Sequence, residues 1–105
     1  MSSSPLVCDM NVFTPAERES HIQNTRLLYQ TVQDIREAEN GFEFLFPNTT
    51  ILTTLAEFIS KEKMCCPFLE FTLRIESNEK PISLTLAGPN GTKEFLREEF
   101  SEAFA

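Results

Sequence analysis

One segment of the chain sets its fold class: Asn40-Gly41-Phe42-Glu43-Phe44-Leu45-Phe46-Pro47. Phenylalanines alternate there with Glu43 and Leu45, so a β-strand places three aromatic rings on one face. The Asn-Gly pair before them accepts the positive φ angles of a tight type I′ turn. The segment therefore predicts the second strand of a hairpin. The first strand, within residues 31–38, alternates poorly and is expected at a sheet edge.

A helix is predicted upstream of this hairpin. Thr14-Pro15-Ala16-Glu17 combines a capping threonine, proline at the first helical position and a glutamate that closes a capping box. The helix should run to about Tyr29, and its inward stripe is only half apolar. That stripe holds Arg18, His21, Ile22, Thr25, Leu28 and Tyr29. Residues 1–13 are predicted to be a lead-in that docks in part, because several of them are apolar.

The pattern downstream predicts a second helix, a second hairpin and a last helix. The second helix should begin near Thr50 or Thr54 and end before Pro67. After it, Leu69, Phe71, Leu73 and Ile75 share one side of the clearest strand, which is expected to be half buried. A partner strand within residues 82–86 and a helix from about Thr92 complete the chain.

These elements occur in the order αββαββα. That order predicts an α+β domain, an antiparallel four-stranded sheet with helices mainly on one face. The chain has 105 residues, which is enough for a single core. We therefore expect one domain over residues 14–105, preceded by the docked lead-in at 1–13.

Charge and hydropathy exclude two classes of partner. Sixteen acidic and nine basic residues give a net charge of −7, the wrong sign for binding a phosphate backbone or an anionic membrane surface. The apolar runs are far shorter than the ~20 residues that a membrane helix needs. The first residues lack the basic start and apolar stretch of a secretory signal, so a reducing cytoplasm is the expected location. We expect neither nucleic acid nor a membrane as partner.

The end of the second helix carries the most informative chemistry. A helical wheel places Glu62 in the middle of the apolar stripe, Cys66 toward the core and Cys65 at the stripe's margin. Glu62 precedes the two cysteines by three and four residues, so all three side chains can meet on one turn. A carboxylate on an apolar face needs a hydrogen bond, a cation or a metal. Besides backbone amides, the candidate partners are Arg18, His21 and Tyr29.

Adjacent thiols favour binding of a soft metal ion. A disulfide between sequence neighbours requires a strained ring, whereas thiolates are good ligands for zinc and other thiophilic metals. Tetrahedral zinc takes ligands from separated segments, and Cys8 and His21 are the only other cysteine and the only histidine. We predict a metal site formed by Cys8, His21, Cys65 and Cys66, with Glu62 as a further candidate ligand or proton acceptor.

Two other interpretations of the cysteines stay open. In one, the protein is a non-catalytic interaction module whose cysteines pack the core and whose exposed sheet face or edge strand forms a homodimer. In the other, the protein is a thiol enzyme with Cys65 as nucleophile, its thiolate favoured by Lys61 and Lys63, and Glu62 as proton acceptor. The enzyme ranks lowest because no oxyanion donors or substrate-binding motif are recognisable.

The motifs also resemble those of a group of small bacterial proteins with no established activity. These carry Glu-Arg-x-Cys-Cys-Pro-Phe-Leu, then a strand pair and a Gly-Pro-x-Gly turn; the matching segments here are residues 62–71, 82–91 and 95–96. Upstream, the resemblance extends to Cys8-Asp9 and to residues 14–21. Lys63 stands where the group has arginine, which removes a bidentate hydrogen-bonding fork. The resemblance implies a bacterial cytoplasmic source and groups Cys8, His21, Glu62, Cys65 and Cys66 as one set.

Overall fold

The computed structural model describes residues 6–104 and has the predicted α+β architecture. A 3₁₀ turn at Met10–Val12 precedes the regular elements, which are α1 Pro15–Tyr29, β1 Asp34–Ala38, β2 Gly41–Phe46, α2 Leu52–Cys65, β3 Glu70–Arg74, β4 Ile82–Ala87, α3 Thr92–Glu99 and α4 Ser101–Phe104. The order αββαββα is confirmed, with the last helix divided into α3 and α4. The parts of the predicted lead-in and domain that fall on residues 1–5 and 105 lie outside the described residues.

The four strands form one antiparallel sheet in the order β1-β2-β4-β3. The poorly alternating first strand lies at an edge, as predicted. β3 forms the other edge, and only the start of its apolar side is covered. Leu69 is 7% exposed, whereas Leu73 and Ile75 are 41% and 54% exposed. The expectation of a half-buried β3 face therefore holds at Leu69 and at Phe71, which is partly buried against the core, but not at Leu73 and Ile75.

The core lies over the two central strands. Phe42, Phe44 and Phe46 point to the same face and are at most 2% exposed, which confirms the predicted row of rings. Phe44 is paired with Leu84 of β4, which is paired in turn with Leu73 of β3. Phe44 and Leu84 are fully buried while Leu73 is exposed, so the helical layer covers the middle of the sheet and leaves the β3 edge open.

The first hairpin has a different turn from the one predicted. Ala38 is paired with Gly41, so the two loop residues are Glu39 and Asn40, and only Asn40, with φ of 56°, has a positive φ angle. Gly41 already belongs to β2. A Cβ at that position would collide with the carbonyl oxygen of Leu86 and lie 2.7 Å from Ala87 Cα. Glycine is required there by the close approach of β4 and not by turn geometry.

The ends of α1 and α2 differ in how they are capped. The hydroxyl of Thr14 accepts a hydrogen bond from Glu17 N (3.2 Å), and the Glu17 carboxylate accepts one from Thr14 N (2.9 Å), so the predicted capping box is present. α2 begins at Leu52, between the two expected start sites, and Ile51 supplies no side-chain cap. The helix ends at Cys65, two residues before Pro67.

The segment before α1 packs against the end of α2. Asp9 N donates a hydrogen bond to the Cys65 carbonyl (2.8 Å), and Phe13 is 5% exposed within the core. α1 also packs on α2. This arrangement brings two chain segments, the lead-in and α1, to the last turn of α2. Among residues 6–104, no helix has the length and apolar character needed to cross a membrane.

Candidate functional site

The candidate site lies where α1, the last turn of α2 and the lead-in meet. α1 contributes His21, α2 contributes Glu62 and Cys65, Cys66 follows α2 directly, and Cys8 comes from the lead-in. Four of these five residues are at most 4% exposed, and Cys8 is half-buried. The fold therefore places a set of metal-binding and proton-binding groups inside the protein.

Glu62 and His21 form a buried pair. His21 Nε2 lies 2.9 Å from Glu62 Oε1, and the two side chains are 4% and 3% exposed. The imidazole ring also lies between the rings of Phe13 and Phe58, with centroid distances of 5.5 and 5.9 Å. Burying a carboxylate is costly unless a hydrogen bond compensates it, and His21 supplies that bond. Among the partners expected for Glu62, the structure selects His21.

The two adjacent cysteines surround the same carboxylate. Cys66 Sγ lies 3.5 Å from Glu62 Oε2, Cys65 Sγ lies 3.9 Å from Glu62 Oε1, and the two sulfurs are 3.6 Å apart. The predicted meeting of Glu62, Cys65 and Cys66 is present. The prediction that Cys66 faces the core is confirmed, since this residue is 0% exposed. Cys65, expected at the margin of the stripe, is buried as well, at 1% exposed. The lead-in packs against the end of α2, where Asp9 N donates a hydrogen bond to the Cys65 carbonyl.

Cys8 and Cys66 are joined as a disulfide, with their Cα atoms 4.4 Å apart. Sequence reasoning argued against a bond between the neighbours Cys65 and Cys66, and the described disulfide indeed joins more distant residues. The sequence predicts Cys8 only as a metal ligand, because nothing local shows that a residue 58 positions away docks beside Cys66. The apolar residues of the lead-in are the one feature of the sequence that indicates docking of this segment against the core. Cys65 is left as the free thiol of the chain's three cysteines.

The thiol of Cys65 is not activated. Burial, and then the negative charges of Glu62 and Glu99, raise its pKa from 9.0 to about 12. The expectation that Lys61 and Lys63 favour a Cys65 thiolate is therefore wrong. The Lys61 ammonium instead lies 3.7 Å from the Glu57 carboxylate, one turn back along α2. The Cys65 thiol stays protonated at neutral pH unless a metal ion displaces the proton.

Three groups of potential metal ligands overlap in this region. The ligand atoms of each group lie within 4.8 Å of one another. The groups are Cys8 with Cys65 and Cys66, His21 with Glu62 and Cys65, and Cys8 with Glu62 and Glu99. Within residues 6–104, His21 does not join Cys8 and Cys66 in one such group. The complete set of Cys8, His21, Cys65 and Cys66 as ligands of a single ion thus stays a prediction.

Glu99 is the site residue that sequence reasoning missed. It lies at the end of α3, where neighbouring glutamates are typical of a solvated helix face. Desolvation by the surrounding protein and the charge of Glu62 raise the pKa of its carboxyl group. No local sequence signal distinguishes Glu99 from Glu98, because only the packing of α3 against the site brings one of them near Glu62.

A cleft of about 300 Å³ opens beside the His21–Glu62 pair. His21, Thr25 and Tyr29 line it from α1, and residues from the α3–α4 junction, including Glu99 and Phe100, line it from the other side. Burial and the charge of Glu62 raise the pKa of Tyr29 well above its ordinary value. The half-polar stripe predicted for α1 therefore borders a cleft and is not a simple packing face.

Comparison of the chain with protein-family models, curated proteins and solved structures found no significant match. The resemblance based on the cysteine motif and the Gly-Pro-x-Gly turn stays a prediction. What the protein does must therefore be argued from the geometry of this region.

Proposed function

We propose that the protein, with its thiols reduced, binds a thiophilic metal ion through Cys8, Cys65 and Cys66. The observation that carries this proposal is the convergence of three sulfurs within 4.8 Å of one another, at the junction of two chain segments. Thiolate ligands select zinc, copper(I) and similar ions. Two of the cysteines are sequence neighbours and the third comes from the docked lead-in, so metal binding also ties the lead-in to α2.

Glu62 supplies the fourth ligand that tetrahedral zinc requires. Its Oε2 lies 3.5 Å from Cys66 Sγ, while its Oε1 is held by His21 at 2.9 Å. Zinc accepts carboxylate oxygen beside thiolate sulfur. Histidines that hold a ligating carboxylate fix its orientation, and their loss typically weakens metal binding. In this arrangement His21 holds Glu62 in position, and the ion is bound by one carboxylate oxygen and three sulfurs.

The disulfide and the metal site use the same sulfur atoms, so they exclude each other. Reduction of the Cys8–Cys66 bond by a dithiol or phosphine adds two electrons and two protons and yields two thiols. Binding of a divalent ion then releases thiol protons to solvent, so the apparent affinity for metal rises with pH. The reduced chain is therefore the metal-binding form, because the Cys8–Cys66 disulfide leaves two of the three sulfurs without a thiolate to offer.

Cobalt(II) titration tests the proposal, because thiolate ligation gives cobalt an intense charge-transfer absorption. Protein reduced with a phosphine and kept free of oxygen is expected to bind one cobalt ion per chain, and zinc is expected to displace it. Cys8→Ser and Cys65→Ser should each remove most of the charge-transfer band. Glu62→Gln should weaken binding by at least about 10-fold, because it replaces the carboxylate ligand with a neutral amide.

Met64→Ala is the matched control, since Met64 lies beside Cys65 on α2 and is 55% exposed. It should bind cobalt as the unmodified chain does. The disulfide form should show no charge-transfer band. Equal, negligible uptake by the reduced chain and by Cys65→Ser would overturn the proposal and leave the three cysteines as packing and disulfide residues.

A further inference from the structure

The edge strand β3 has an open side and an incompletely covered apolar face. Within residues 6–104, β4 is its sole neighbour in the sheet, so alternate backbone N–H and C=O groups of β3 point away from the sheet. Leu73 and Ile75, on the apolar face, are 41% and 54% exposed. Edge strands commonly avoid further pairing through proline, lysine or a bulge, but β3 contains none of these. β3 is therefore open to pairing with another strand.

The apolar surface of this edge continues from β3 onto α2. Ala56, Ile59 and Met64 of α2 line a groove together with Leu73 of β3. Met64 is 55% exposed. Apolar surface beside a free strand edge fits a partner that adds a strand to the sheet and covers the groove with its own apolar side chains.

The sequence of β3 is complementary to itself. Directly opposite residues of an antiparallel pair lie on the same face, and a twofold axis makes the two strands equivalent. With the axis through Thr72, Glu70 lies opposite Arg74 of the second copy, and Phe71 lies opposite Leu73 of the second copy. All five residues of β3 are then paired. Each contact occurs twice, which gives two pairs of opposite charges and two apolar pairs.

The charged side chains of β3 are free to form these pairs. Glu70 is exposed and has no ion pair within residues 6–104. The side chain of Arg74 is 71% exposed, and its Nε lies 2.7 Å from Glu76 of its own chain. A guanidinium has five N–H donors, so Arg74 can bond to a second carboxylate without losing Glu76.

Other registers and the other sheet edge lack this complementarity. A shift by one residue places the apolar face of one strand beside the polar face of the other. Moving the axis to Leu73 places Glu70 opposite Glu76, and moving it to Phe71 separates the opposite charges. Full self-pairing of β1, the other edge, places Arg36 opposite itself, and directly opposite like charges are destabilising. The strand that β3 fits is therefore a second β3.

We propose that two copies of the chain associate through β3, antiparallel about a twofold axis at Thr72, and form one continuous eight-stranded sheet. The axis is perpendicular to the sheet, so both α2 helices lie on the same face and the two apolar grooves meet. The contact is small, so the dimer is expected to be weak, with a Kd of about 10–100 µM. At lower concentrations the chain is a monomer. The interface uses none of the cysteines, so it does not depend on metal binding.

Sedimentation equilibrium of the disulfide form tests the association. The average mass should rise from one chain toward two between about 5 µM and 1 mM, because dimerisation follows mass action. Arg74→Glu places two like charges at each of two contacts and should weaken association by about 10-fold, as should Glu70→Arg. The double variant Glu70→Arg with Arg74→Glu exchanges the charges and should restore association to within about 3-fold of the unmodified chain.

Arg36→Glu is the matched control. It makes the same change in net charge as Arg74→Glu, at an exposed position of the other edge strand, and should leave association unchanged. The proposal fails if the unmodified chain keeps the mass of one chain over the whole range. It also fails if Arg36→Glu and Arg74→Glu weaken association equally, or if the double variant does not recover.

Thr72→Cys tests the position of the axis. The two introduced thiols lie opposite each other in the proposed dimer, with Cβ atoms about 5 Å apart. A short bismaleimide should therefore join them, each thiol adding across one maleimide double bond, whereas the buried Cys65 reacts slowly. Denaturing electrophoresis should show far more covalent dimer for Thr72→Cys than for Arg36→Cys at the centre of β1. Equal cross-linking of the two variants, or none at Thr72 in concentrated samples, would rule out pairing through β3.

Discussion

Two regions of this protein differ in the chemistry of their side chains, although both are largely buried and only Cys8 is half-buried. The sheet centre consists of the inward residues of β2 and β4, namely Phe42, Phe44, Phe46, Ile82, Leu84 and Leu86. The thiol end consists of Cys8, His21, Glu62, Cys65 and Cys66. Every side chain of the sheet centre is hydrocarbon. The thiol end instead buries a carboxylate, an imidazole and three sulfurs against one another.

The free energy of burial differs between the two regions. Burying apolar surface stabilises a fold by roughly 25 cal/mol per Å², whereas burying polar groups is at best neutral unless each is paired. Glu62 is paired with His21, but His21 Nδ1 and two hydroxyls of α1 find no hydrogen-bond partner within residues 6–104. The sheet centre therefore supplies the larger apolar contribution to the stability of the fold. The arrangement of the thiol end is explained better by the proposed metal binding than by a contribution of its polar groups to the free energy of unfolding.

The largest expected effect belongs to the sheet centre. Phe44→Ala should lower the free energy of unfolding by about 3–5 kcal/mol, because it opens a cavity between the central strands and the helices. Leu73→Ala is the matched control in the same cross-strand row, 41% exposed, and should cost less than about 1 kcal/mol. Urea unfolding monitored by circular dichroism gives both values. Similar losses would show that the core extends to the β3 edge.

The second prediction concerns the thiol end and its electrostatics. With the pKa of Cys65 raised from 9.0 to about 12, alkylation of native protein at pH 7 should be slower than that of unfolded protein by about 1000-fold. The rate should rise as pH increases toward 12. Stability should fall over the same range above pH 9, since the unfolded thiol ionises first.

The Glu62→Gln variant tests whether the charge of Glu62 contributes to the raised pKa of Cys65. It removes a negative charge that raises the pKa of Cys65, so labelling should become faster while the side chain still bonds to His21. Mass spectrometry of maleimide-treated disulfide-form protein measures these rates on a single thiol. Native labelling as fast as that of urea-unfolded chain would mean that the thiol end is open to solvent.

The smallest of the three effects is that of the disulfide on stability. Reduction of Cys8–Cys66 in the presence of a chelator should lower the free energy of unfolding by about 2–4 kcal/mol, because the bond closes a loop between residues 58 positions apart. Parallel urea titrations with and without a phosphine reductant provide the comparison. Cys8→Ser should be insensitive to the reductant. An unchanged midpoint for the unmodified chain would show that docking of the lead-in does not depend on the covalent link.

Local patterns predicted the sheet centre well and the thiol end only in part. The alternation of Phe42, Phe44 and Phe46 determines which face is buried, since strand geometry has a period of two. The Thr14–Glu17 capping box is likewise a local interaction. Spacing along α2 also placed Glu62 beside Cys65 and Cys66. The prediction that Gly41 serves the turn geometry was wrong. Glycine is required there because β4, which is distant in sequence, approaches closely.

The α+β class, the element order, the buried rings and the position of a carboxylate beside two thiols all follow from local patterns. These features depend on periodicity and capping over a few residues. The bond between Cys8 and Cys66, the pairing of His21 with Glu62 and the approach of Glu99 to the site arise from long-range packing. Each of these joins elements that are far apart in sequence, and the raised pKa of Cys65 depends on that packing. Burial and neighbouring charge are properties of the assembled core, which no local pattern contains.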